Sequence, residues 1–124
     1  MKCGLFVIIA VLIWSSYASA CDWPIAPFKQ AHPVQGNFND PRLSKRHFDE
    51  DPRNKRSFHS GIDIAAPTGT AVYAIYPGRV RLMSRTAVSV RTSLHMRFEY
   101  WHITPAVKTG QEVTYHQLLG WVMP

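Results

Sequence analysis

The sequence has little cysteine and, beyond its first twenty residues, no long hydrophobic run. Only Cys3 and Cys21 occur among 124 residues. Because Cys3 lies in the leader described below, the mature chain keeps a single cysteine, which excludes an internal disulfide framework. No later segment approaches the roughly twenty consecutive apolar residues that a membrane-spanning helix needs. The sequence also lacks internal repeats, low-complexity tracts and a nucleotide-binding glycine loop.

Acidic residues are the minority charge, 8 against 14 lysines and arginines, and the formal net charge is +6. Hydrophobic and charged contents of 46% and 18% are typical of one ordinary globular domain. The positive balance favours anionic surroundings such as cell-wall polymers or phospholipid head groups. Because the basic residues are dispersed along the sequence, we do not expect a nucleic-acid partner.

The first twenty residues have the pattern of an export signal. Lys2 supplies a positive start, residues 5–14 form an unbroken apolar run, and residues 18–20 read Ala-Ser-Ala, the small-x-small pattern of a signal-peptidase site. The run is shorter than a bilayer-spanning helix. We therefore predict a signal peptide over residues 1–20 and a protein exported to the periplasm or cell envelope.

Cys21 would be the first residue of the mature chain. A cysteine at this place is typical of bacterial lipoproteins, in which a thioether-linked lipid holds the chain on a membrane. Lipoprotein signals usually carry leucine three positions before the cysteine, where this chain has Ala18. Three interpretations stay open: lipidation of Cys21, release without an anchor, and pairing with a cysteine of another chain.

Residues 21–57 are predicted to be a loop-rich N-terminal segment. A short strand entering a turn is expected within residues 34–42, since Asp-Pro pairs favour turns. Residues 44–56 mix both charge signs and indicate an exposed loop. His47, Asp49 and Asp51 in this loop offer cation-binding atoms, but nothing in the sequence fixes their geometry, and a charged surface loop is the favoured interpretation. Prolines occur throughout the segment, at Pro24, Pro27, Pro33, Pro41 and Pro52.

Residues 58–124 change to short β-type runs separated by turns and are predicted to form the core. Alternation is clearest around Phe98 and Tyr100, which share one face of a predicted strand. The spacing of runs and turns predicts an all-β fold, an antiparallel sandwich or barrel. The predicted strands cover residues 61–65, 71–75, 78–84, 87–92, 94–103, 112–115 and 118–122.

His59 and Asp63 are candidate metal ligands. Residues four apart share one face of an extended chain, and Gly61 and the β-branched Ile62 disfavour a helix here. An imidazole nitrogen and a carboxylate oxygen suit zinc. The alternative is a surface histidine and a turn aspartate that never meet. The spacing alone favours this alternative, because two ligands do not make a zinc site.

Two more histidines are candidates for other roles. His102 ends a predicted strand just before an expected turn at Thr104 and Pro105, where an imidazole can transfer a proton or stabilise an oxyanion. A hydrogen-bonded structural histidine is the alternative. His116 lies in a connection between two strands and is expected to be a solvent-exposed turn residue.

Residues 59–80, HSGIDIAAPTGTAVYAIYPGRV, resemble the LytM/lysostaphin-type zinc endopeptidases of bacterial cell walls. The family pattern is close to H-x-G-I-D-[IL]-A-A-P-x-G-T-P-V-x-A-x-x-x-G-x-V, with Ala71 here in place of the usual proline. Residues 100–103 are similar to its Y-x-H-[LI] element, and residues 107–120 to the glycine-containing segment that follows. Upstream, residues 36–42 are similar to G-x-F-G-x-R, with Asn39 where glycine is usual.

The resemblance implies that His59 and Asp63 bind Zn²⁺, that His102 assists catalysis, and that the substrate is a peptide cross-link of peptidoglycan. Family members close their site with H-x-H on a later strand, and no H-x-H occurs in these 124 residues. We therefore expect a β core that is incomplete at the C-terminus, without its third zinc ligand, and inactive by itself. The alternative function is a non-catalytic module that binds cell wall or regulates another hydrolase.

Overall fold

The computed structural model describes residues 22–42, 57–93 and 95–124 of the chain. These residues form β-strands joined by turns, and no helix occurs among them. The predicted signal peptide, Cys21 and the loop containing His47, Asp49 and Asp51 lie outside the described residues. The strands are β1 (Val34–Gly36), β2 (Pro41–Arg42), β3 (Ser57–Phe58), β4 (Asp63–Ile64), β5 (Ala71–Tyr73), β6 (Gly78–Ser84), β7 (Ala87–Arg91), β8 (Arg97–Trp101), β9 (Ile103–Pro105), β10 (Glu112–Val113) and β11 (Leu118–Val122).

Every strand pair is antiparallel, which confirms the predicted all-β antiparallel fold. One sheet has four strands in the order β10-β6-β7-β8, and a second has three in the order β5-β11-β9. Two further sheets have two strands each, β1-β4 and β2-β3. Within the described residues, no helix has the length and apolarity required to span a bilayer.

The core lies between the four-stranded and three-stranded sheets, because one buried apolar cluster draws side chains from both. Val88 and Val90 of β7 and Leu119 of β11 are completely buried in it. Tyr100 of β8 is also buried, and its hydroxyl oxygen accepts a hydrogen bond of 3.0 Å from the backbone N–H of Ile75. That bond satisfies the polar end of a ring whose body packs in the core.

The predicted strand over residues 94–103 is wrong in its bounds, because two residues with positive φ interrupt it. His95 and His102 both have φ of 60°. This conformation is uncommon outside glycine, although histidine is among the residues that adopt it more often, and it breaks a regular ladder. The alternation predicted for β8 is confirmed, with Tyr100 buried and its neighbours Glu99 and Trp101 exposed.

The turn expected at Thr104 and Pro105 is also wrong. Both residues lie in β9, where Pro105 pairs with Gly120 and Thr104 pairs with Trp121 of β11. A turn does occur over residues 67–70, where the N–H of Thr70 donates to the carbonyl of Pro67 and Gly69 has a φ of 84°.

The N-terminal segment packs against the three-stranded sheet. Ile25 belongs to the buried core, and the backbone N–H of Tyr73 donates to the carbonyl of Pro24 at 2.7 Å. The Phe28 ring stacks on the His116 imidazole with centroids 3.8 Å apart. His116 Nε2 also lies 2.9 Å from a carboxylate oxygen of Asp22. His116 therefore lies in a turn, as expected, but it is half-buried and has partners.

The Asp22 carboxylate should make this attachment sensitive to acid. Its second oxygen lies 2.7 Å from Lys29 Nζ, and the hydrogen bond from Lys29 lowers the pKa of Asp22 below its ordinary 3.8, against the opposing effect of desolvation. A lowered folded-state pKa contributes stability that is present above pH 3.8 and is lost as the pH falls through the lower value.

We therefore expect Asp22→Asn to lower the thermal unfolding midpoint at neutral pH, with the difference from wild type shrinking as the pH falls below 3.8. Unfolding followed by circular dichroism across an acid series measures it. Glu112→Gln, at an exposed carboxylate, is the control for a lost negative charge. A difference in unfolding midpoint between Asp22→Asn and wild type that stays constant down to the most acidic pH would contradict the lowered pKa of Asp22.

Candidate metal centre

The structure brings His59 and Asp63 together. Nε2 of His59 lies 3.2 Å from Oδ1 of Asp63, so the alternative in which the two side chains never meet is wrong. The contact joins two of the atom types that zinc prefers, an imidazole nitrogen and a carboxylate oxygen.

A bend in the chain, and not a regular strand, produces this contact. In an extended strand, residues four apart are separated by roughly 13 Å, too far for these side chains to touch. The structure ends β3 at Phe58, bends at Ser60 and Gly61, and starts β4 only at Asp63. The predicted strand over residues 61–65 is therefore wrong in its bounds, and the bend folds His59 back towards Asp63.

The chain around residues 37–40 holds the His59 backbone in place. The N–H of His59 donates to the carbonyl of Asp40 at 2.9 Å, and the N–H of Asn39 donates to the carbonyl of His59 at 2.7 Å. Asn39 has a φ of 67°, a conformation that favours glycine and that asparagine tolerates better than most residues. This explains why asparagine can occupy a position where the resembling family usually has glycine.

The ring of His59 is oriented so that its Nε2 can act as a ligand. Nδ1 lies 2.9 Å from the backbone carbonyl oxygen of Asn37. A carbonyl only accepts hydrogen bonds, so Nδ1 carries the hydrogen and Nε2 of the neutral ring carries a lone pair. That lone pair faces a carboxylate oxygen, an arrangement that a proton or a bound cation stabilises. Metal-binding histidines commonly have this backbone-oriented tautomer.

The pair is accessible from solvent, because the side chains of His59 and Asp63 are 18% and 41% exposed. These two residues fit two positions of a zinc site. Within residues 22–42, 57–93 and 95–124, however, no group of three or more His, Cys, Asp or Glu side chains is arranged to hold a metal ion. The described part of the chain thus supplies two donors where a catalytic zinc has three.

His102 lies at the bend between β8 and β9. It is exposed, its backbone has a φ of 60°, and its carbonyl accepts a hydrogen bond of 3.1 Å from the N–H of Met123. It does not join His59 and Asp63 in a three-residue metal group. Its predicted role in proton transfer stays a prediction.

Three exposed apolar side chains that are adjacent in the sequence to the pair, or to the residues that hold His59, were not identified from the sequence. Phe58 and Ile62 directly precede His59 and Asp63, and Phe38 lies between the two turn residues that hold His59; they are 59%, 52% and 69% exposed. The available signal was their adjacency to the candidate ligands. Contiguous exposed apolar surface marks binding sites, whereas single exposed apolar side chains are common on any protein.

A known protein family matches most of the β core. The model of peptidase family M23 matches residues 57–123, more than half of the chain. The matched region contains His59, Asp63 and His102 together with β3 to β11. The match confirms the resemblance to the LytM/lysostaphin-type endopeptidases that the sequence motifs indicated.

Proposed function

Since the chain belongs to peptidase family M23, we propose that its domain recognises the peptide cross-links of bacterial peptidoglycan and binds zinc through His59 and Asp63. The family consists of metallopeptidases that are generally zinc-dependent. The observation that carries the proposal is the orientation of His59: the Asn37 carbonyl holds its Nδ1–H, and its Nε2 faces Asp63 Oδ1 at 3.2 Å.

Each residue has a defined task in this proposal. His59 and Asp63 would hold the ion, which when bound would supply a Lewis acid for the scissile carbonyl and for a water molecule. His102 holds or transfers a proton, for which an exposed imidazole is suited. Phe38, Phe58 and Ile62 contact the apolar parts of the peptide.

The number of donors favours a second candidate, a domain that binds wall peptides without cutting them or that regulates another hydrolase. The described residues supply two protein ligands, and a zinc ion with so few protein ligands is held weakly. We propose that the 124-residue chain by itself binds peptidoglycan and does not hydrolyse it. We also propose that it is exported to the cell envelope, with a membrane anchor if Cys21 is lipidated.

The two candidates predict different results with purified sacculi in the presence of zinc. We expect the protein to co-sediment with the sacculi and to release no new amino groups. We also expect Ile62→Ser to weaken co-sedimentation about fivefold, since it removes apolar contact area. Met96→Ser changes a similarly exposed side chain outside this site and is the control.

Zinc-dependent release of amino groups would establish hydrolysis and show that a third ligand exists. Equal co-sedimentation of wild type and the Ile62→Ser variant would show that the exposed apolar side chains are not part of the binding surface.

A further inference from the structure

Arginines that are dispersed in the sequence meet on the outer face of the four-stranded sheet. Arg79 of β6 lies directly opposite Arg91 of β7, and Arg91 lies directly opposite Arg97 of β8. Arg81 follows on the same face of β6, opposite Ser89. Val80, Val88 and Val90 are buried on the opposite face, whereas Arg79, Arg81 and Arg91 are exposed. Ser89, which lies between Arg81 and Glu99 on the arginine face, is itself buried. Like charges directly opposite each other destabilise a sheet unless an anion offsets them.

This face is concave. The turn over residues 108–111 forms one wall, fixed by hydrogen bonds from Gly110 N–H to the Val80 carbonyl and from Leu82 N–H to the Thr109 hydroxyl. The turn that contains His95 forms another. The groove measures about 970 Å³, and an adjoining hollow of about 560 Å³ shares Arg79, Arg91 and His95 with it. The groove therefore continues past a single arginine and has room for a chain of anionic groups.

Two of the four guanidinium groups have carboxylate partners and two have none within the described residues. Arg79 pairs with Glu112 at 2.8 Å and Arg97 with Glu99 at 2.9 Å, both on the surface, where ion pairs are weak and exchange readily. Arg81 and Arg91 form no ion pair with any residue that the structure describes. A groove in which two guanidinium groups have no carboxylate partner among the described residues is suited to an anionic ligand.

We propose that this groove binds a linear phosphodiester polymer without bases, of the polyol-phosphate type. Guanidinium groups match phosphate oxygens in a bidentate manner, and the row from Arg79 to Arg97 spans about 10 Å across three strands. The described residues that line the groove include no Phe, Tyr or Trp, and the exposed Trp101 on the same face of β8 lies beyond them, with its indole N–H donating to Glu99. One ring at the margin does not provide the row of aromatic side chains on which sites for single-stranded nucleic acid stack successive bases. Its concave shape is matched to a chain and not to the flat surface of a bilayer.

The experiment is a titration of the purified protein with fluorescently labelled poly(glycerol phosphate), followed by anisotropy at several salt concentrations. We expect Arg81→Gln and Arg91→Gln each to weaken binding about tenfold and to reduce the salt dependence. Arg85→Gln removes the same charge from an exposed turn residue outside the groove and should change affinity by less than about twofold.

His59→Ala should bind the polymer as wild type does, which separates this groove from the zinc site. Two results would overturn the proposal. The first is an Arg91→Gln variant that binds no more weakly than Arg85→Gln. The second is binding of oligothymidylate, or of vesicles containing phosphatidylglycerol, as tight as that of poly(glycerol phosphate).

Discussion

His59→Ala is expected to abolish saturable zinc binding by the protein. The imidazole Nε2 is one of two donors in the described site, and its lone pair faces the other donor at 3.2 Å. Loss of an outer-shell partner alone weakens metal sites about 10–100-fold, so loss of a ligand should weaken binding by more than about 100-fold. Asp63→Ala should have the same effect. In wild type we expect saturation only well above micromolar zinc, because two protein donors hold the ion weakly.

Histidine imidazole resonances followed by NMR during a zinc titration measure this binding without any need for catalysis. His102→Ala is the control, since it removes an exposed imidazole that does not belong to the pair and should leave the response unchanged. If His102→Ala removed the response, its assignment as a proton-transfer residue would be wrong. Stoichiometric zinc retention at micromolar metal would reveal a third ligand.

Gly120→Ala is expected to destabilise the fold by about 3 kcal/mol, the upper end of the usual range for overpacking. A Cβ at this position would overlap the backbone carbonyl oxygen of Thr104. That oxygen cannot rotate away as a side-chain atom could, because Thr104 is held in β9 opposite Trp121. The neighbouring Leu119 is completely buried in the core, so β11 cannot shift outward without exposing it.

Gly61→Ala is the matched control, because nothing lies within 4 Å of its added methyl group and Gly61 does not have a positive φ. Its effect should stay within about 0.5 kcal/mol. Thermal unfolding measures both variants, and we expect Gly120→Ala to lower the midpoint by roughly 10–20 °C. Equal midpoints for the two variants would show that β9 and β11 can separate at little cost.

The sequence predicted the fold class and the candidate ligands because both depend on local patterns. The alternation around Phe98 and Tyr100 identified an amphipathic strand, and β8 has that alternation. The spacing of His59 and Asp63 identified the pair, although the contact depends on the bend at Ser60 and Gly61 that strand geometry did not predict. Local propensity also missed the positive φ of the histidines, since few residues other than glycine signal that conformation.

The arginine groove could not be predicted from the sequence, for a different reason. Arg79, Arg91 and Arg97 are separated by turns and come together only through the register of three strands. Register depends on the pairing of whole strands, and a shift by one residue would direct these side chains to the opposite face. The same argument applies to His116, whose partners Asp22 and Phe28 are distant in sequence.

The N-terminal segment is attached to the core from its first described residue, Asp22. Asp22 is held by Lys29 and His116, and Ile25 is buried in the core. One peptide unit, about 3.8 Å, separates residue 21 from this fixed point. If Cys21 carries a lipid, as proposed above, we expect the β core to lie close to the head groups, because the anchor is then one residue from a part of the chain that the core holds.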